Sequence, residues 1–135
     1  MRTERCETGA ATRLMVSAKA DVRVRRAYDK ANDHDGVRVL VDHIWPRGLS
    51  KEKAAFNEWC KDVSPSTELR KWYSHDPAKF EEFTRRYCAE LEDPERAEAL
   101  QHLRELSTGH RLTLLTATKN PDISQAAVLC DLLRR

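Results

Sequence analysis

The residues best suited to chemistry directly follow an apolar segment of the chain. Residues 37–41 read VRVLV, and DHIWPRG follows them at 42–48. Asp42 could act as a base, bind a metal or hold an arginine; its structural alternatives are an ion pair with Arg47 or hydrogen bonds to loop amides. Arg47 offers a planar fork of donors that suits carboxylate or phosphate, and Gly48 lets a backbone approach a ligand closely. This segment predicts an anion-binding site.

Two other places carry polar groups of the same kind. His75, in SHDP, could stack, donate a hydrogen bond or act as an acid–base group, and is our candidate catalytic partner for Asp42. Lys119 and Asn120 follow a second apolar run, RLTLLTAT at 111–118, and precede a helix whose amino terminus attracts anions. A carboxylate cap at Asp122 would occupy part of that positive end.

Three predicted strands must position these groups. Residues 21–28 alternate valine with arginine, as in a strand with one wet face, whereas 37–45 and 111–118 are apolar on both faces, as in interior strands. Five helices are expected between and after these strands. Ser50 can cap a helix over 51–61, and Ser66 can cap a short second helix. Asp76-Pro77 and Asp93-Pro94 each begin a further helix, and Asp122 with Gln125 resembles a capping box that opens the last one.

The order of these elements predicts an α/β protein. About five helices flank a small, mainly parallel three-stranded sheet, and a helical crossover joins the second and third strands. The carboxyl ends of these two strands then meet at one edge, where open α/β sheets bind ligands. His43 should point to the opposite face from Asp42. The first strand could pair as a hairpin, which would place Tyr28 and Asp29 away from this edge.

Composition limits the remaining possibilities. The 135 residues suit a single domain over 21–135 preceded by a flexible extension over 1–20. No apolar run reaches membrane-helix length, so we expect a soluble, cytoplasmic protein. The four cysteines and five histidines lack metal or redox spacing, which predicts free thiols and neither a metal nor a cofactor.

Several strings together resemble the YeaO-like family of small bacterial cytoplasmic proteins, a domain of unknown function (DUF488). They are RAYD, DGVRVLVDHIWPRGLSKEKA, PSTELRKWYSHDPAKFEEFTRRYCAEL and LTLLTATKN, within about residues 22–134. The resemblance implies a compact α/β domain and carries no established activity, substrate or cofactor. The positions that match its pattern are Tyr28, Asp29, Asp42, Trp45, Pro46, Arg47, Gly48, Lys51, Pro65, Ser66, Leu69, Arg70, His75, Asp76, Pro77, Lys119 and Asn120.

The chain departs from the family pattern at three places. His43 stands where relatives usually have arginine, Thr116 stands where many have tyrosine, and Ser124-Gln125 replaces a common asparagine–histidine pair. If that pair takes part in a reaction, this chain binds a ligand without catalysing.

We therefore expect a ligand-binding α/β protein, with an enzyme as one possible form. The ligand would be a small anionic molecule, such as a nucleotide or phosphorylated metabolite, with Asp42 and His75 as catalytic candidates in an enzyme. The expected ligand-binding residues are Tyr28, Trp45, Arg47, Gly48, Lys119 and Asn120.

The alternative is a nucleic-acid-binding or regulatory protein that uses Arg23, Arg25, Arg26, Arg85 and Arg86. It is the weaker one because 24 Lys and Arg nearly balance 22 Asp and Glu, and such arginines more often form a solvated face. An aromatic stripe over 77–91 could meet a partner chain, although core packing explains it better, and a monomer or a homodimer fits the sequence equally well.

Overall fold

Four short parallel strands form the sheet, in a computed structural model that describes residues 21–135. They are β1 (Val22–Arg26), β2 (Val37–Leu40), β3 (Glu58–Trp59) and β4 (Leu112–Thr116), in the order β1-β4-β2-β3. The α/β class and the parallel pairing of the two interior strands are confirmed. The predicted extension over 1–20 lies outside the described residues.

The strand that the sequence does not predict, β3, lies inside a segment for which the sequence predicts a helix. Helix α1 (Lys51–Ala54) begins at the predicted Ser50 cap, but Ala55 is left-handed with φ 49° and ends it. Asn57 then pairs with Arg38 of β2 through its own backbone N–H and through its side-chain oxygen. The chain continues along β2 as β3, so the predicted helix over 51–61 is wrong in its second half.

β1 does not form a hairpin with β2. It pairs in parallel with β4, and residues 27–36 run back along the sheet to the start of β2. Asp35, near the end of this connection, is fully buried and lies 3.0 Å from Arg25 and 2.5 Å from Arg38. The hairpin alternative is therefore wrong, and Tyr28 follows β1 at the carboxyl edge of the sheet.

The remaining helices are α2 (Thr67–Tyr73), α3 (Phe80–Glu90), α4 (Pro94–Leu106) and α5 (Gln125–Arg134). The Ser66 hydroxyl caps α2, as predicted, and the Asp76 carboxylate caps a 3₁₀ turn that leads into α3. The predicted cap at Asp122 is wrong. Ser124 caps α5 by accepting a hydrogen bond from the Ala127 amide, and Asp122 belongs to the preceding 3₁₀ turn.

The core has two parts because successive strand residues point to opposite faces of the sheet. On one face Val39, Leu112 and Leu114 pack against helices α2 to α5, with Phe83 and Tyr87 fully buried among them. The aromatic stripe of α3 is therefore core. On the other face a smaller cluster joins Ala27, Leu40 and Leu115 to Trp45, Leu49 and Phe56.

Two further findings concern the helices and thiols of residues 21–135. None of these helices has both the length and the apolar character that crossing a bilayer requires. Cys60, Cys88 and Cys130 are free thiols, and burial raises the pKa of Cys60 to about 11. A thiol of this pKa stays protonated near neutral pH and is a poor nucleophile.

Candidate functional site

An open cleft of about 450 Å³ lies at the carboxyl edge of the sheet. The segments that leave β1, β2 and β4 all contribute to its walls, as expected for parallel neighbours. Helix α2, the residues around it and the start of α5 complete it. The residues that line it are Tyr28, Asp42, His43, Ile44, Trp45, Pro46, Arg47, Pro65, Arg70, Tyr73, His75, Phe83, Thr116, Ala117, Thr118, Ser124 and Gln125.

Asp42 joins the parts of this cleft through hydrogen bonds. Its carboxylate accepts one from the Ala117 amide, at 2.7 Å, and one from Gln125 Nε2, at 2.6 Å. Burial raises the pKa of Asp42, while these hydrogen bonds, one from Thr116 and the charge of His75 act in the opposite direction. Of the structural alternatives, the bond to a loop amide is present, and no ion pair with Arg47 occurs within residues 21–135.

Both histidines near Asp42 line the same cleft. Ser74 and His75 have left-handed backbones, with φ 46° and 56°, which end α2 and turn His75 toward the cleft. His75 Nδ1 lies 3.5 Å from the Thr118 hydroxyl. Asp42 contacts Ala117 and Gln125, whereas His43 contacts Ser64; both residues follow the end of β2 at Leu40, where the chain bends.

Arg47 and Arg70 bring positive charge to the cleft. Arg47 is exposed, and its carbonyl accepts a hydrogen bond from the Tyr28 hydroxyl at 2.9 Å. The Arg70 guanidinium donates to the Pro65 carbonyl and to the Thr67 hydroxyl. Among residues 21–135 neither arginine forms an ion pair with a carboxylate. Reasoning from strand ends does not find Arg70, because it lies on α2.

Trp45 and Tyr28 bring aromatic rings to the cleft. Trp45 donates to the Leu49 carbonyl at 2.7 Å and packs against Phe56 and Trp59, with ring centroids 5.1 and 5.6 Å away. Trp59 in turn donates to the Asp42 carbonyl at 2.7 Å. Tyr28 keeps 43% of its surface exposed and has the Arg26 guanidinium 5.5 Å from its ring centroid, so a ligand can reach the part of the ring that Arg26 leaves open.

Three predicted binding residues do not line the cleft. Lys119 and Asn120 are exposed, since the segment that follows β4 contributes to the cleft only as far as Thr118. Gly48 has a left-handed φ of 78°, and a Cβ there would meet no atom within 4 Å. Their roles in binding stay predictions.

The arginines of the nucleic-acid alternative are mostly engaged with acids. Arg23 and Arg25 approach Asp35 to 3.8 and 3.0 Å, and Arg85 and Arg86 both pair with Glu82. Arg26 donates to the Thr118 carbonyl. Over residues 21–135, no group of three or more His, Cys, Asp or Glu side chains is placed to hold a metal ion.

Comparison with known proteins places the chain in a family. Residues 21–135 match the model of the family DUF488-N3i, described as the inactive DUF488-N3 subclade. An uncharacterised protein of Mycobacterium tuberculosis is 49% identical over 112 residues, which cover 83% of this chain and 92% of that protein. The uncharacterised protein YeaO of Escherichia coli is 40% identical over 114 residues, 84% and 97% of the two chains. No solved structure matches the chain. The chain therefore belongs to the YeaO-like DUF488 family.

Proposed function

We propose that this protein binds a small anionic, nucleotide-like molecule in the cleft and does not transform it. The observation that carries the proposal is the charge of the lining residues. Two arginines and two histidines line the cleft against a single carboxylate, Asp42, which already accepts two hydrogen bonds from protein amides. An anion entering the cleft therefore meets the guanidinium groups of Arg47 and Arg70, which form no ion pair with an acid among residues 21–135.

The size and walls of the cleft support a ligand that carries a flat ring. A volume of about 450 Å³ lies within the range of roughly 300–1,000 Å³ usual for small-molecule sites. Tyr28 and Ile44 leave 43% and 68% of their surfaces exposed beside the cations. A planar heterocycle could stack on Tyr28 while an attached phosphate accepts hydrogen bonds from Arg47.

Three observations favour binding without turnover. Asp42 is held by Ala117 and Gln125, which makes it a brace between β2, β4 and α5 rather than a free base. All the departures from the family pattern, at His43, Thr116 and Ser124-Gln125, line the cleft. The matching subclade is described as inactive, which agrees with a site that has lost groups needed for chemistry.

Thermal-shift screening followed by titration calorimetry tests the proposal. The probes are nucleoside monophosphates, a sugar phosphate, an uncharged nucleoside and inorganic phosphate. We expect the nucleotides to stabilise the protein most, since they offer both a ring and an anion. Arg47→Gln should weaken nucleotide binding by roughly ten- to 150-fold, because a charge-assisted hydrogen bond contributes about 1.5–3 kcal/mol.

Arg85→Gln is the matched control. It removes another exposed guanidinium, on α3 and outside the cleft, and should leave the affinity unchanged. Stabilisation by none of the anions, or equal losses from Arg47→Gln and Arg85→Gln, contradicts the proposal. Binding to oligonucleotides that weakens steeply with salt would instead support the nucleic-acid alternative. Turnover of a bound nucleotide would refute the claim that the site is inactive.

A further inference from the structure

A second depression continues the cleft along the start of α2. This side groove has a volume of about 380 Å³ and shares His43, Pro65 and Arg70 with the cleft. Beyond these shared residues its walls include Lys61, Thr67 and Arg96. Because His43, Pro65 and Arg70 border both spaces, one extended molecule could reach from the cleft into the side groove, with His43 and Arg70 at their junction.

Positive groups converge at this junction. The pKa of His43 is lowered by desolvation and then by the charges of Arg70, Lys61 and Arg96, in that order. These cations come from three separate elements: Arg70 from α2, Lys61 from the 3₁₀ turn Lys61–Val63, and Arg96 from α4. The His43 ring also lies 3.4 Å from the Ser64 hydroxyl.

Two of the three cations have no carboxylate partner among residues 21–135. Lys61 Nζ lies 4.8 Å from the centroid of the Trp59 ring, and Arg70 is fixed by the Pro65 carbonyl and the Thr67 hydroxyl. Arg96 pairs with Asp93 at 2.9 Å. The fixed Arg70 fork loses little side-chain freedom when it binds an anion.

Acids are also present in the side groove, which limits the kind of ligand it suits. Asp62, Glu68 and Glu95 line it, but none forms an ion pair with Lys61 or Arg70. The groove therefore does not offer a broad positive field that attracts any polyanion. Its cations Lys61, Arg70 and Arg96 all act on the ring of His43, which also lines the cleft.

We infer that the ligand carries two separated anionic groups, one beside Arg47 in the cleft and one beside Lys61 and Arg70 in the side groove. This inference rests on the proposed function and narrows its ligand to the class of nucleoside bisphosphates and dinucleotides. A nucleoside with a single phosphate beside Arg47 would leave Lys61 and Arg70 without an anionic partner.

The test compares adenosine 5′-monophosphate with adenosine 3′,5′-bisphosphate by calorimetry. The wild-type protein should bind the bisphosphate about tenfold more tightly, which corresponds to one added charge-assisted hydrogen bond. Lys61→Gln should reduce this preference to about threefold or less and leave the monophosphate affinity unchanged. Lys53→Gln, which removes an exposed lysine on α1 outside both spaces, should alter neither affinity.

An NMR titration of the His43 ring gives a second readout. A phosphate in the side groove offsets the cations there, so the bisphosphate should raise the pKa of His43 more than the monophosphate does. Equal affinities for the two probes, or a preference that survives Lys61→Gln, overturn the inference and leave the proposed function standing. Binding of neither probe overturns both.

Discussion

Replacing Gln125 with glutamate tests whether Asp42 braces the cleft. Gln125 Nε2 lies 2.6 Å from Asp42 Oδ1, so Gln125→Glu places a second carboxyl group against the first. Two unit charges at that distance repel by about 6 kcal/mol at an effective dielectric constant of about 20. The side chain at 125 is only half-buried, so the introduced carboxylate can partly move away from Asp42. Uptake of one proton by the pair also limits the loss of folding free energy. We therefore expect a loss of about 2–3 kcal/mol in the free energy of unfolding at pH 8.

The loss should depend on pH in a defined direction. In the folded variant the pair keeps a proton that the unfolded chain releases, so the folded pKa is raised and stability falls as pH rises through it. Near pH 4, the introduced side chain is protonated and donates to Asp42 in place of the amide, so the variant should be almost as stable as the wild type. Urea unfolding followed by tryptophan fluorescence, from pH 4 to pH 8, measures this difference.

The reciprocal exchange is the control. In Asp42→Asn combined with Gln125→Glu, the new amide at 42 donates to the new carboxylate, and its oxygen still accepts from the Ala117 amide. This variant should recover to within about 1 kcal/mol of the wild type at pH 8. A Gln125→Glu protein with a wild-type urea midpoint at every pH would show that the Asp42–Gln125 bond does not hold α5 to the cleft.

Two backbone predictions follow from left-handed residues. Gly36→Ala should lower the free energy of unfolding by more than about 3 kcal/mol, because Gly36 has φ 66° and the new Cβ would lie 2.2 Å from the Arg111 carbonyl oxygen. Gly48 is also left-handed, with φ 78°, but a Cβ there would meet no atom within 4 Å. Gly48→Ala should therefore cost about 1 kcal/mol in the same urea assay. Ser74→Gly should stabilise the protein by about 0.5–1 kcal/mol, because glycine adopts the φ of 46° without strain. Ala89→Gly, within helix α3, should destabilise the protein by about 1 kcal/mol. Equal effects of these two changes in thermal unfolding would contradict the reasoning.

The sequence predicts those parts of the fold that depend on local patterns. Apolar runs identify β2 and β4, and serine caps identify the starts of α1 and α2. The long helical connection predicts that the two strands are parallel neighbours, and from this the position of the cleft follows. Asp42 and Arg47 could be assigned to one site for that reason, whereas Lys119 and Asn120, assigned to it by the same argument, do not line the cleft.

The errors arise where a distant contact overrides a local pattern. Helical periodicity over 51–61 gives no sign that Asn57 pairs with Arg38, which draws the chain into β3. The buried ion pair between Asp35 and Arg38 fixes the connection after β1, which turn propensities alone describe equally well as a hairpin. Arg70 joins the cleft only through the placement of α2 beside the strand ends.

The central position of β4 has a consequence for synthesis of the chain. β1 has β4 as its neighbour in the sheet, yet more than eighty residues of sequence separate these two strands. While the ribosome is still making α4, β1 therefore has no partner strand. The cleft at that stage also lacks the wall that Ala117 and Gln125 supply. A nascent chain arrested before Leu112 should be degraded or held by chaperones rather than bind any ligand.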